Sequence, residues 1–332
     1  MADTRMTLLD YAKSQDPDGS QAQVIELMNQ YNPWVQDATA TPANAPLGNR
    51  TTLRRSLPVV GTAKINKGVT RSKSTSDQRT DTIGYFAGRS EMDVRLRMLE
   101  GSAAYLKKRS DETAAFEEAL AQAVSLTMAY GNIVSDEASF DGLAPRMAAL
   151  NPGTDLTASQ VWSMGSVTGG DGCSIYIVDW AANMTSLIFP PNSVAGLQVN
   201  DKPDLPVNDV DGNSFQADVM TYDWFVGLCV KDPRHVARLA NIDLSDAIID
   251  SPTQGIILDK LEQIFSRMPD PGPAQRVMYC PIALWSGFTK QARTRANLAL
   301  QIIDYLGKPT PAMWGYPLRK VQQLATNEAT VS

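Results

Sequence analysis

The chain has 332 residues, 43% of them hydrophobic and 20% charged, enough to bury a substantial core and too apolar to be wholly disordered. A net charge of −6 argues against a dedicated nucleic-acid binder, and a single histidine, His235, removes most routes to imidazole-based catalysis. Cys173, Cys229 and Cys280 form no CxxC pair, so neither a disulfide framework nor a zinc site is supported, and no apolar run approaches the ~20 residues of a membrane helix. The opening Met1-Ala2-Asp3-Thr4-Arg5 has no signal-peptide core, which leads us to expect a soluble protein made in a reducing cytoplasm.

In chain order, Ser20 and Gln23 have capping-box spacing, with Val24, Leu27 and Met28 following on one helical face. Pro33 ends this predicted helix, and Asp37–Asn49, rich in Ala, Thr, Pro and Asn, reads as an extended arm with no core of its own. From Arg50 to Ser90 the chain turns basic. Arg50, Arg54, Arg55, Lys64, Lys67, Arg71, Lys73, Arg79 and Arg89 stand against Asp77 and Asp81 only, a local charge of +7 that leaves −13 for the rest. Short β-prone pieces at Leu57–Val60 and Thr80–Phe86 flank a polar tip around Arg71–Arg79, the pattern of a long two-stranded loop projecting from a body.

Residues 91–131 read as helical with a break near Gly101. Ser110 is the expected N-cap of the second part, Phe116, Leu120, Val124 and Met128 its one-turn repeat, and Gly131 its C-terminal stop. Strands are predicted at Cys173–Trp180, Thr185–Phe189, Phe215–Met220 and Asp223–Val230. Asp232-Pro233 is expected to open a short helix carrying Val236, Leu239 and Ala240, and Ser251-Pro252 another with Ile257, Leu261, Ile264, Phe265 and Met268. A break at Pro269–Pro273, a strand at Arg276–Cys280, a helix from Pro281 and a closing strand within Pro317–Leu324 complete the reading.

The motifs that could carry chemistry have simpler readings. Gly165–Gly172 (GSVTGGDG) lacks the Gly-Lys-Ser/Thr ending of a phosphate loop and precedes a strand, so it reads as a turn. Asp209, Asp211 and Asn213 start like a calcium loop, but no Glu follows at the required spacing, and a hairpin turn on Asp211-Gly212 fits better. His235 has no recognisable nucleophile near it in sequence and reads as a surface or interface residue. The basic segment could be a solvated loop, a nucleic-acid-binding arm or an arm that docks on acidic faces of neighbouring copies. Its aromatics, Tyr85 and Phe86, stand away from the positive tip, which disfavours base stacking. A basic arm on an acidic body favours self-association.

At this level the chain resembles the major capsid proteins of epsilon-fifteen-like, short-tailed bacteriophages. The resemblance is carried in order by Thr7-Leu8-Leu9-Asp10-Tyr11-Ala12-Lys13, Asp16-Pro17-Asp18-Gly19 and Ile25-Glu26-Leu27-Met28-Asn29-Gln30. It continues through Gly68–Thr75, Tyr130-Gly131-Asn132, Phe140–Arg146, Gly227–Arg234, Arg238–Asp243 and Gly315–Val321. It implies an α+β, Hong Kong 97-type fold: an N-terminal arm (1–49), an extended loop (50–92), a peripheral domain (93–220) with a spine helix at about 110–131, an axial domain (221–315) and a returning C-terminal strand (316–332).

The implied function is a structural one without catalytic residues, metal or cofactor: self-assembly into pentamers and hexamers of an icosahedral head enclosing double-stranded DNA, in the virion, after assembly in the host bacterial cytoplasm. Implied partners are further copies of the chain, a separate scaffolding protein, a cement protein and a portal protein, with packaged DNA in loose contact and no membrane. Arg54, Arg55, Lys64, Lys67, Arg71, Lys73 and Arg79 are the expected inter-subunit contact residues of the extended loop. The alternatives are a soluble carboxylate-dependent hydrolase and a nucleic-acid binder using residues 50–90.

Overall fold

The computed structural model describes residues 32–332 except 101, 151–159, 166, 168, 169, 210, 246–250, 293–299, 306 and 307. The predicted helix at Ser20–Met28 and part of the Gly165–Gly172 turn lie outside the described residues.

Pro33 opens a helix instead of ending one: α1 spans Pro33–Asp37 with the proline in its first turn, where its missing N–H costs nothing. Strand β1 (Ala40–Pro42) then pairs in parallel with β7 (Thr185–Phe189), and Trp34, Asp37 and Ala43 are buried. Residues 33–43 therefore lie on the chain's own body, correcting the expectation that Asp37–Asn49 lacks a core. The apolar and aromatic side chains of α1 decide this, since Trp34 stacks on Tyr279 at 4.4 Å between ring centres.

The basic segment forms a two-stranded hairpin of β2 (Gly48–Ser56) and β3 (Thr75–Thr82). Leu57–Val60 is not a strand: Pro58 has no N–H to donate and nothing pairs with the run, so the connection is residues 57–74. Arg79 accordingly belongs to β3 and not to the tip. Strand β4 (Gly84–Asp93) and helix α2 (Arg95–Glu100) lead into α3, which begins at Ser102 and runs to Tyr130. Ser110 is thus inside the helix. Arg109, on the turn before it, is buried and bonds Asp201 at 2.5 Å. The helix is about 43 Å long at 1.5 Å per residue, and Tyr105, Leu120, Val124 and Met128 form its buried stripe.

A one-turn helix, α4 (Leu143–Arg146), precedes β5 (Val161–Ser163), β6 (Gly172–Trp180), β7, β8 (Gln198–Asn208) and β9 (Ser214–Val230). The two strands predicted around 215–230 are one continuous strand. Its first half pairs with β4 and β8 and its second with β7. After a 3₁₀ turn at Pro233–His235 comes strand β10 (Val236–Asp243), in place of the predicted helix. Then follow α5 (Ser251–Arg267), β11 (Gln275–Pro281), α6 (Ile282–Ala292), β12 (Leu300–Tyr305), β13 (Lys308–Met313) and β14 (Tyr316–Val321). The spine of the mixed sheet runs β12-β13-β14-β11-β6-β7-β9-β4, with β10 antiparallel to β6 and β8 on β9.

Strand β6 shows why the centre is buried on both faces. Tyr176, Val178 and Trp180 point to a cluster with Trp34, Val124, Met128 and Tyr279, under α1 and α3. Cys173, Ile175 and Ile177 alternate to the other side, packing with Ile257, Leu261, Ile264 and Leu284 of α5 and α6. Each such aliphatic side chain contributes about 1.5–3 kcal/mol by leaving water.

Candidate assembly interface

Every side chain from Arg54 to Gln78 is solvent-exposed. Within residues 57–74 this includes Leu57, Val59, Val60, Ile65 and Val69, which are 74–93% exposed. Exposed branched aliphatics at this density on one loop are the composition of a surface that is covered by something else. Among the charges, Lys64, Lys67, Arg71 and Lys73 all stand in this loop, no Asp or Glu accompanies them, and among the described residues no ion pair holds them. The loop crosses itself by one side-chain bond, from Ser72 Oγ to the Val59 carbonyl at 2.9 Å.

The structure separates the other expected contact residues from this cluster. Arg54 and Arg55 end β2, where Arg55 pairs with Asp77 across the hairpin at 2.9 Å. Arg79 is nearer the root, opposite Thr51 and 3.9 Å from Asp81. The exposed aliphatics are functional candidates that charge counting passes over. Their signal in the sequence is that Leu57, Val59, Val60, Ile65 and Val69 follow neither period 2 nor period 3.6.

At the root the hairpin is fixed to the body. Asp81, 1% exposed, accepts from Arg146 Nη1 at 2.6 Å and from the Val230 amide at 3.2 Å. Asn49 Nδ2 donates to Cys229 Sγ at 3.2 Å. A Cβ on Gly48 would stand 2.4 Å from the Asp81 carbonyl oxygen, so only glycine lets the strands come this close.

The residues with latent chemistry are taken up by structure. His235 is 5% exposed, correcting its reading as a surface or interface residue. Its Nδ1 lies 2.7 Å from Asp179, which Arg276 grips from the other side at 2.7 and 2.8 Å, and its Nε2 faces Asp232 at 3.9 Å. The strand turn after Asp232-Pro233 carries it inward. Burial pushes the Cys173 and Cys229 thiols up to about 12 and about 11, and Cys280 also upward, which keeps all three protonated and unreactive. Asp209 caps its own hairpin turn, accepting from the Asp211 and Asn213 amides at 2.9 and 2.7 Å, and these bonds hold its carboxyl below the usual range. Among the described residues no group of three or more His, Cys, Asp and Glu is placed to hold a metal, and no helix is long and apolar enough to cross a membrane.

The family model of Major capsid protein GP7 matches residues 16–332. The chain belongs to the Major capsid protein GP7 family. Members build the icosahedral shell of a phage head from copies of themselves, so this is a structural protein of the virion and not an enzyme. The fold agrees: a chain in the structure of bacteriophage Epsilon15 superposes with a TM-score of 0.75 at 24% identity, over 100% of this chain and 98% of that one. The capsid of bacteriophage JBD30 gives 0.50 at 9% identity, over 90% and 93%. No curated protein matches the chain. The long helix α3 and the large mixed sheet are those of a Hong Kong 97-type capsid fold.

Proposed function

We propose that the subunit assembles as pentamers and hexamers around double-stranded DNA, and that residues 57–74 are the segment that docks on an adjoining copy. The observation that carries this reading is the tip itself: five exposed aliphatics and four cations, with neither a core nor a counter-ion among the described residues. Docked on a neighbour, both would be satisfied together, as electrostatic complementarity sets register and apolar burial supplies affinity. A separate scaffolding protein, a cement protein and a portal protein complete the proposed partner set. The proposed division is an arm (1–49), extended loop (50–92), peripheral domain (93–220), axial domain (221–315) and returning strand (316–332).

The test is substitution of Val59, Val60 and Ile65 by serine, alone and with Lys64, Lys67, Arg71 and Lys73 changed to serine. Subunits should keep their circular dichroism and lose the ability to form particles visible by electron microscopy. Normal particles from the combined variant would refute the docking role. Binding of double-stranded DNA by the free subunit that vanishes in the combined variant would instead assign the tip to nucleic acid.

A further inference from the structure

We propose that Arg146 is a positioning residue for assembly: a pin that fixes the direction in which the β2–β3 hairpin leaves the body and ties that direction to the end of α3. Three sets of contacts converge on it and on the loop that carries it.

The first is the ion pair itself. Arg146 and Asp81 side chains are 4% and 1% exposed, and the guanidinium spends its donors on three segments at once: Asp81 of β3 at 2.6 Å, the Leu228 carbonyl of β9 at 3.1 Å and the Asp141 carbonyl of its own loop at 3.1 Å. A planar, forked donor can do this and a lysine ammonium cannot reach all three.

The second set binds the loop before Arg146 to the start of β4. Tyr85 N donates to the Ala138 carbonyl at 3.1 Å. A Cβ on Gly84 would meet both that carbonyl oxygen and the Phe140 ring at 3.0 Å. Residues 138–146 therefore wrap the junction where the chain turns from β3 into β4.

The third set binds the same loop to the helix. Gly142 N donates to the Gly131 carbonyl at 2.8 Å, and Gly131 N to the Thr127 carbonyl at 2.8 Å. Cβ atoms on Gly131 and Gly142 would stand 2.4 Å from the Phe140 carbonyl oxygen and 2.5 Å from the Thr127 carbonyl oxygen. Helix end, loop and hairpin root are packed without slack, and beyond the root every side chain from Arg54 to Gln78 is exposed among the described residues. A lever so exposed has its angle set at its base.

The effect on the shell rests on the docking reading above, whereas the pin is a property of the single subunit, and the experiment separates the two. Amide exchange by mass spectrometry is measured on unassembled wild type, Arg146→Met, Arg146→Lys and the charge-free pair Asp81→Asn with Arg146→Met. The paired variant leaves no lone buried charge and so keeps the fold available if the single methionine variant unfolds.

Peptides covering 44–52 and 78–86 should exchange about tenfold faster in the methionine variants, with an intermediate rise for lysine. Peptides of β6 and β10 should be unchanged. Assembly of the folded paired variant should give particles of altered or mixed diameter. Unchanged exchange at the root, or a rise spread evenly over the molecule, would overturn the pin. Faster root exchange with particles of normal diameter would overturn its role in assembly and leave the docking reading to be judged on the tip variants.

Discussion

The centre of the sheet and the tip of the hairpin handle charge in opposite ways. In the centre each buried cation has its answer within the chain. Arg238 pairs with Glu328 at 2.9 Å, Arg276 with Asp179 at 2.7 Å, and Arg319 with Asp37, which also accepts from Tyr279. In the tip Lys64, Lys67, Arg71 and Lys73 have no such answer among the described residues, and the aliphatics among them are exposed there. The tip's cations and aliphatics are therefore candidates for contact with a partner, alongside exposed body residues such as Met98 and Val134.

The largest effect is expected from removing one half of a central pair. Asp179→Ala strands the buried side chains of Arg276 and His235 without their carboxylate. We expect a loss of about 3–5 kcal/mol in denaturant unfolding, against which the isosteric Asp179→Asn should lose less. A loss under ~1 kcal/mol would mean the centre tolerates unanswered charge as the tip does.

A smaller effect comes from pH. Burial pushes the Asp218 carboxyl up, but bonds from Tyr105 Oη at 2.7 Å, the Asp204 amide at 3.0 Å and Arg97 at 2.7 Å outweigh it and hold the carboxyl below the usual carboxylate range. A lowered folded pKa makes the contribution fully present above the unfolded value, and it is lost as pH falls through the folded one. The difference in denaturation midpoint between wild type and Asp218→Asn should therefore be constant down to the carboxylate range and shrink below it. The smallest effect is expected at the tip, where the serine substitutions should change subunit stability by no more than ~0.5 kcal/mol.

Much of this fold could be read from the sequence, and the failures have physical causes. Strand β7 matches its expected bounds, and α5 begins at Ser251 with its apolar repeat facing the core. Strand β10 was the clearest error. Val236, Leu239 and Ala240 fall at helical spacing, yet in this strand, covered on both faces, every position from Val236 to Ile242 is buried and spacing carries no signal. Its polar members are buried because distant residues answer them: Glu328 for Arg238, and the Val331 backbone for Asn241, with two bonds of 2.8 Å. No local pattern foretells partners ninety positions away.

The basic hairpin was visible as a charge excess, whereas its exposed aliphatics were mistaken for a strand at Leu57–Val60. The root was missed altogether, because Asp81 looked like one of two acids in a basic run and is in fact the buried partner of Arg146.

The central claim is that residues 57–74 find their partner only on another copy. Amide exchange of the tip, measured on free subunits and on assembled particles from the same preparation, tests it directly. The tip should exchange at nearly intrinsic rates in the free subunit and gain protection in the particle, while β6 and β10 are protected in both. Equal exchange of the tip in the two states would contradict the account.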